Sequence, residues 1–300
     1  MALIPLDEIR AARERIADTV LRTPLVRFDE RISLKLECLQ PIGSFKLRGA
    51  LNAMRAREPQ DVLTASAGNM AQGVAWAARE LGVHATVVAP ETAPRAKLDR
   101  VEELGARVVL VPHERWWQTM VERRFDGIDA LFVHPVEDEL VMAGNGTIGL
   151  ELLEDGGFDT VVVPWGGGGL ATGIASAVKE HGIRVVTAEP ETAAPLAAAM
   201  RAGKPIEIDY APSFVDGAGG RALLPTMWER ARELVDEAVA VPLADVEQAM
   251  RLLATRAHVV AEGAGALALA AALRRQDRCV AIVSGANIDL DAYVGILGGR

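Results

Sequence analysis

Lys46 and its neighbours form the part of this sequence that points most directly to chemistry. The residue lies in the segment SFKLRGA, residues 44–50. A lysine amine attacks carbonyl compounds only in its neutral form, which packing and neighbouring groups can favour. Phe45 could form a wall beside a planar ring, and Gly43 allows close approach of the backbone. The segment predicts a lysine that condenses with an aldehyde cofactor, although a lone lysine at a helix start is usually solvated.

A second polar segment, TASAGNMAQG at residues 64–73, fits a strand end followed by a helix start. N–H groups at a helix N-terminus attract anions, and the carboxylate of a substrate is an anion. The pattern therefore predicts a substrate site at Ser66, Ala67, Gly68, Asn69 and Met70. Ser66 and Asn69 also fit simple helix N-caps.

The third segment is a run of four glycines. Gly166, Gly167, Gly168 and Gly169 follow an apolar strand and precede Leu170, where a helix begins. Without side chains in the way, the N–H groups of such a loop can surround a phosphate at the positive end of the helix. The segment predicts a phosphate site, although glycines also serve in tight turns.

A dinucleotide site is a competing interpretation of the same glycines. Gly166, Gly168 and Ala171 fit that fingerprint, and Glu189 ends the next predicted strand, where a ribose ligand belongs. The protein would then be a nicotinamide-dependent oxidoreductase. This interpretation leaves Lys46 without a role and places the first turn of the fold in mid-chain, so it is the weaker one.

The fourth segment, IVSGAN at residues 282–287, is a polar loop after the last apolar strand. At the C-terminal end of a strand, Ser284 is placed to hydrogen-bond a ring nitrogen of a cofactor. As an isolated turn the segment would carry no prediction.

The apolar pattern predicts alternating strands and helices, which is typical of an α/β protein with parallel strands. The first half contains strands 62–65, 85–89 and 108–111 and helices 69–81 and 94–104. The second half contains strands 160–164, 185–189 and 279–283 and helices 146–153, 170–181, 245–257 and 264–274. The polar connection 137–139 predicts a boundary between interleaved lobes. These are a large cofactor-binding lobe, residues 1–58 and 139–300, and a small mobile lobe, residues 59–138.

Composition and charge exclude several classes of protein. Hydrophobic residues make up 50% of the chain, enough for a packed core, and a net charge of −9 argues against nucleic-acid partners. The N-terminus lacks signal-peptide features, and the longest apolar stretch, 264–273, is too short to cross a bilayer. Two cysteines, Cys38 and Cys279, and five scattered histidines support neither a disulfide scaffold nor a metal site. We expect a cytoplasmic protein that does not bind membranes and has no histidine-built metal site, while metal activation through acidic groups near Asp216 stays open.

Taken together, the four segments resemble those of the fold-type II pyridoxal-phosphate enzymes, in particular the threonine/serine dehydratase group that includes serine racemase. The resemblance covers nearly the whole chain, with supporting matches at residues 143–148, 215–217 and 261–266. It implies the tryptophan synthase β-like fold, with open, mostly parallel twisted sheets in two lobes. It also implies pyridoxal 5′-phosphate as the cofactor, an amino acid as the substrate and a homodimer as the assembly.

The resemblance assigns roles to individual residues. Lys46 matches the lysine that binds the cofactor covalently, Phe45 the residue beside the cofactor ring, and Asn69 the partner of the ring hydroxyl. Residues 166–169 match the phosphate loop, and Ser284 matches the residue that faces the pyridine nitrogen.

Two positions depart from the family pattern. Met70 stands where the family usually has histidine, which removes a polar group beside the expected carboxylate site. Ala67 stands where racemases of the group place a serine as the second acid/base, so racemisation is disfavoured.

The resemblance implies β-elimination, in which the Lys46 amine takes the α-proton of a β-hydroxy amino acid and the hydroxyl leaves. The products are a 2-keto acid and ammonia. L-Threonine and L-serine are the expected substrates, and 3-hydroxyaspartate and phenylserine are alternatives. Arg221 fits either a second substrate carboxylate or the surface, and Glu262 either tunes the site or has no catalytic part. A non-catalytic cofactor-binding homologue also stays open.

Overall fold

Two mostly parallel sheets organise the chain in a computed structural model that describes residues 3–299. Met1, Ala2 and Arg300, which the predicted large lobe includes, lie outside the described residues. The strands are β1 (Leu25–Arg27), β2 (Ile32–Lys35), β3 (Asp61–Ala65), β4 (His84–Pro90), β5 (Arg107–Val111), β6 (Leu131–Phe132), β7 (Thr160–Pro164), β8 (Arg184–Pro190), β9 (Glu237–Val241) and β10 (Cys279–Ile282). The α/β prediction is confirmed.

The helices cover both sheets. They are α1 (Leu6–Ile16), α2 (Lys46–Arg57), α3 (Asn69–Leu81), α4 (Arg95–Glu103), α5 (His113–Glu122), α6 (Glu139–Asp155), α7 (Gly169–Val178), α8 (Pro195–Ala202), α9 (Pro225–Leu234), α10 (Leu243–Leu252), α11 (Gly263–Ala272) and α12 (Leu290–Leu297). A π-helical turn, Leu253–Ala257, extends α10. Across residues 3–299, none of these helices has the length and apolarity needed to span a bilayer.

The larger sheet has the strand order β1-β2-β10-β7-β8-β9. Its pairs are parallel apart from β1 with β2. The middle strand β7, TVVVP, is buried along its whole length, as expected for a parallel strand covered by helices on both faces. Strand β10 lies between β2 and β7, so residues from the two ends of the chain meet at the centre of this sheet.

The smaller sheet has the order β5-β4-β3-β6, and all its pairs are parallel. Its four strands fall between residues 61 and 132, inside the segment assigned to the small lobe. The lobe boundaries at 58/59 and 138/139, and the mobility of the small lobe, stay predictions.

Helix α6 is longer than the sequence pattern predicts. The prediction began it at Gly146, whereas the helix begins at Glu139, with Asp138 as its N-cap through a bond from the Leu140 N–H. Residues 137–139 are therefore partly a helix start and not only a connection. A Cβ on Gly144 would lie 2.4 Å from the Arg48 carbonyl oxygen. The glycine thus lets α6 and α2 pack closely, although it lowers helix propensity.

Candidate active site

The four chemical segments meet at one cavity of about 240 Å³. Three of them begin where parallel strands end: Ser66 follows β3, Gly166 follows β7 and Ser284 follows β10. Such strand ends are where open α/β sheets bind ligands. The predicted residues in its wall are Phe45, Lys46, Ser66, Gly68, Asn69, Met70, Gly166, Gly167, Gly168, Gly169, Leu170 and Ser284. Ala67 is the predicted site residue that does not line this cavity.

Lys46 is the first residue of α2, and its partly buried side chain opens into the cavity. Its Nζ donates a hydrogen bond to the Pro135 carbonyl oxygen at 3.2 Å and lies 5.1 Å from the centroid of the Phe45 ring. Burial lowers the pKa of Lys46 to about 8, although Glu262 acts in the opposite direction. A useful fraction of the amine is therefore neutral near pH 7, as a nucleophile or base requires.

The glycine loop is shaped by close contacts on two sides. A Cβ on Gly167 would lie 2.3 Å from Val136 Cγ2, and one on Gly168 would lie 2.4 Å from Trp165 Cη2. Gly168 also has a φ of +97°, which favours glycine. The loop ends at the N-terminus of α7, where the first N–H groups have no partner within the helix. This arrangement suits a phosphate group.

Glu262 lines this cavity, and its role in the chemistry stays a prediction. Its carboxylate Oε1 accepts a hydrogen bond from Asn69 Nδ2 at 2.7 Å. Asn69 Oδ1 in turn accepts from Asn287 Nδ2 at 2.7 Å. Burial raises the pKa of Glu262 to about 7. The predicted ring-hydroxyl partner Asn69 is thus held on both sides by side chains.

Ser284 brings a neutral hydroxyl to the cavity wall. The residue is buried, and its Oγ lies 3.5 Å from the Ala264 carbonyl oxygen. Its own carbonyl accepts a hydrogen bond from the Phe45 N–H at 3.1 Å, which ties the fourth segment to the first.

Sequence reasoning assigned no site role to part of the cavity wall, although the segments 215–217 and 261–266 stood out as supporting matches to the family. Pro135 and Val136 come from the connection between β6 and α6, and Asp216, Gly217 and Ala264 come from the second half of the chain. The position of Pro135 just beyond a strand end was an available signal, since three of the four chemical segments share it.

A buried charge network behind Lys46 was also missed. Arg48 donates to both carboxylate oxygens of Glu37 at 2.8 Å each and to Glu151 Oε1 at 2.6 Å. Lys35 Nζ lies 2.6 Å from the other oxygen of Glu151. The network joins the start of α2 to α6 and to the turn after β2, and its two positive and two negative groups balance.

The dinucleotide interpretation fails at Glu189. The carboxylate is buried and accepts hydrogen bonds from the N–H groups of Leu196 and Ala197 at 3.0 and 2.8 Å. It therefore caps α8 and does not face a ribose. Arg221 lies on the surface, 3.7 Å from Glu207, and both side chains are about two-thirds exposed.

Comparisons with known proteins agree with the four-segment interpretation. A family model described as pyridoxal-phosphate dependent enzyme matches residues 16–285. An L-threonine ammonia-lyase of Thermotoga maritima is 37% identical, over 96% of this chain and 77% of that protein. The crystal structure of T.th. threonine deaminase is similar with 38% identity and a TM-score of 0.88, over 95% of this chain and 99% of that one. The structure of maize serine racemase has 33% identity and a TM-score of 0.90, over 100% and 98% of the two chains.

Proposed function

Because this chain belongs to the family of pyridoxal-phosphate dependent enzymes, we propose that it is an ammonia-lyase of β-hydroxy amino acids. The reaction removes water from the substrate, then takes up water and releases ammonia, leaving a 2-keto acid. The observation that carries the proposal is the Lys46 amine, with its pKa lowered to about 8, in a cavity beside a glycine loop. The relatives named as threonine ammonia-lyase and threonine deaminase support threonine as a substrate.

The residues present fit pyridoxal phosphate. The aldehyde of the cofactor needs a primary amine, which Lys46 supplies, and the phosphate needs backbone donors, which the loop 166–169 supplies. The contacts of Gly167 with Val136 and of Gly168 with Trp165 leave no room for a side chain there. When bound, the cofactor withdraws electrons from the α-carbon of the amino acid.

The residues around the cofactor have separate roles in proton transfer and in binding the substrate and the cofactor ring. Lys46 takes the α-proton, because its amine is partly neutral at physiological pH. The N–H groups at residues 66–70, where α3 begins, bind the substrate carboxylate. Ser284 would offer a neutral hydroxyl to the ring nitrogen of the bound cofactor, and such a partner would favour protonation of that nitrogen less than an acidic one. A weaker electron sink favours prompt loss of a β-substituent.

Racemisation is the less favoured activity in this proposal, even though serine racemase has the same fold. A racemase needs a second acid/base on the face of the cofactor opposite the lysine. Ala67, at the position that matches the racemase serine, has no ionisable group. Chiral analysis of serine recovered from the reaction tests this point, and accumulation of D-serine would contradict it.

The experiment that tests the function is release of 2-keto acid from the purified, cofactor-loaded protein. L-Threonine, L-serine, 3-hydroxyaspartate and 3-phenylserine are offered separately, with Lys46→Ala protein as the control. We expect release from L-threonine, with Met70 and the rest of the carboxylate site deciding the order of the others. Covalent capture of the cofactor without release from any of the four would keep the family and overturn the dehydratase.

The proposal also covers the compartment and the oligomeric state of the enzyme. A homodimer in the cytoplasm fits the resemblance to threonine/serine dehydratases and the low cysteine content. Light scattering of the purified protein tests the dimer, and a monomer at micromolar concentration would contradict it.

A further inference from the structure

The Lys46 amine is held by a backbone carbonyl, and that carbonyl belongs to a tightly folded connection. Its Nζ donates to the oxygen of Pro135 at 3.2 Å. Pro135 lies between β6 and α6, in residues 133–138, which are called the carbonyl loop below. The proline ring fixes φ but not ψ, so the orientation of the Pro135 carbonyl depends on how the residues after it are held.

His134, which lies inside the carbonyl loop, bonds the residues that follow Pro135. The residue is 3% exposed. Its Nδ1 accepts hydrogen bonds from the N–H groups of Val136 at 3.1 Å and Glu137 at 2.8 Å. Both donors follow Pro135 directly, so the imidazole closes the turn in which the Pro135 carbonyl sits. An Nδ1 that accepts is unprotonated, and the ring proton is therefore on Nε2.

The carbonyl loop also contacts the glycine loop. The side chain of Val136 occupies the space where a Cβ of Gly167 would lie, and its carbonyl oxygen would be 3.2 Å from a Cβ of Gly169. One turn therefore sets both the partner of the Lys46 amine and one wall of the expected phosphate site.

We propose that His134 is a positioning residue that holds the Pro135 carbonyl against the Lys46 amine. The inference rests on the proposed function only in taking Lys46 as the group that binds the cofactor and moves the proton. The carbonyl accepts one N–H of Lys46 at the cavity wall, which leaves the rest of the amine free for the cofactor. When the amine takes a proton, the same carbonyl accepts a charge-assisted hydrogen bond, which is stronger than the neutral one.

The surroundings keep His134 in the form that this role needs. Burial lowers the pKa of His134 to about 4, and the charged groups around it are Glu137, Arg123, Asp138 and Lys46. Glu137 Oε2 lies 3.7 Å from Nε2, on the side that carries the ring proton. The imidazole is therefore neutral near pH 7 and stays an acceptor.

Two substitutions of His134 separate positioning from mere packing. His134→Asn places a side-chain oxygen near the location of Nδ1 and keeps an acceptor for the loop. His134→Gln places its polar atoms nearer to Nε2 and does not. His84→Gln, at a 93% exposed side chain on β4, is the matched control for the change of residue type.

The main readout is the rate at which the full-length protein captures pyridoxal phosphate, followed by visible absorbance without any substrate. We expect His134→Gln to slow capture by roughly 10- to 100-fold, the cost of misplacing a reacting group by about 1 Å. We expect His134→Asn to stay within about threefold of the native rate, because it keeps a neutral acceptor. In turnover, His134→Gln should lower kcat and leave KM nearly unchanged.

Equal loss in both variants at matched melting temperatures would overturn the proposal, as would native capture by His134→Gln. A measurement on the native chain covers the case in which a variant does not fold. ¹⁵N NMR of the five histidines should show a neutral His134 with an unprotonated Nδ1 at pH 7, and a protonated Nδ1 would overturn the proposal. Since capture needs no substrate, native capture without turnover would count against the dehydratase and not against His134.

Discussion

Asn69 and Glu262 lie 193 positions apart in the chain and are joined by a hydrogen bond of 2.7 Å from Asn69 Nδ2 to Glu262 Oε1. The bond connects the start of α3, beside the smaller sheet, with the residue before α11, beside the larger sheet. Asn287 fixes the other end of the Asn69 amide. The electrostatics of the site therefore depend on a contact between one residue beside the smaller sheet and one beside the larger sheet.

The first prediction concerns the charge of Glu262. Its carboxylate raises the pKa of Lys46, and its own pKa is raised to about 7 by burial, so its charge develops near neutral pH. Glu262→Gln keeps an acceptor for Asn69 and removes the charge. The pKa of Lys46 should then fall further, and the acid limb of the kcat profile, which reports the enzyme–substrate complex in which the amine takes the proton, should move to lower pH. Glu233→Gln, at an exposed position, should leave the profile in place, and an unmoved limb in Glu262→Gln would contradict the coupling.

The second prediction concerns the glycine loop. In Gly167→Ala the new methyl group would overlap Val136 Cγ2, which is 2.3 Å from the Cβ position. Overpacking of this kind should displace the loop and raise the Kd for pyridoxal phosphate by about tenfold or more. Spectroscopic titration measures the effect.

A double variant shows whether the contact itself is responsible. Adding Val136→Ala to Gly167→Ala removes the overlapping methyl groups and should restore much of the affinity. Gly295→Ala, where nothing lies within 4 Å of the Cβ position, is the control and should bind normally. An affinity loss that Val136→Ala does not relieve would count against this explanation.

The third prediction concerns the charge network behind Lys46. Arg48→Met would leave the carboxylates of Glu37 and Glu151 buried, with Lys35 as the remaining cation of the network. Removing one partner of a buried ion pair typically costs about 3–5 kcal/mol of unfolding free energy. Urea denaturation measures this loss, and Arg232→Met, from an exposed pair with Glu229, should shift the midpoint little. Equal midpoints for the two variants would show that the network adds little to stability.

The fourth prediction concerns the pH dependence of stability. Burial raises the pKa of Glu189 from 4.5 to about 7, so the folded state binds its proton more tightly than the unfolded state does. The resulting stabilisation is fully present below pH 4.5 and is lost as the pH rises through about 7. It amounts to about 3 kcal/mol.

Thermal unfolding across this pH range checks the direction in which stability changes with pH. The melting temperature should fall less steeply with pH in Glu189→Gln than in the native protein, because one of the two raised carboxyl groups has been removed. Glu262, whose pKa is also about 7, should account for part of the remaining slope. Identical slopes in the two proteins would contradict the raised pKa of Glu189.

The sequence predicted the chemical segments well because each of them has a distinctive local pattern, and three of the four also follow a strand end. Helix α3 begins at Asn69 and ends at Leu81 as predicted, and Gly82 closes it with a left-handed conformation. Lys46 begins α2 as expected. Parallel strands place the segments after β7 and β10 at one edge of the larger sheet, but the packing of the smaller sheet, which brings the segment after β3 to the same cavity, could not be predicted from the local pattern.

Other elements depend on tertiary contacts that local patterns do not contain. The sequence did not predict β1, β9, α8, α9 or α12. Strand β1 has three residues, and β9 is recognisable mainly through its pairing with β8. The role of Arg48 was hidden because a charged residue near the start of a helix usually faces solvent, and its carboxylate partners are 11 and 103 positions away.

The position of β10 sets the order of assembly on the ribosome. The smaller sheet needs only residues 61–132, so the nascent chain can form it early. The two halves of the larger sheet remain unconnected until residues 279–282 have emerged, because β10 pairs with both β2 and β7. Ser284 follows directly. Completion of the pocket is thus a late event of synthesis, and ribosome-bound chains that stop before β10 lack both the central strand and the last wall of the cofactor site.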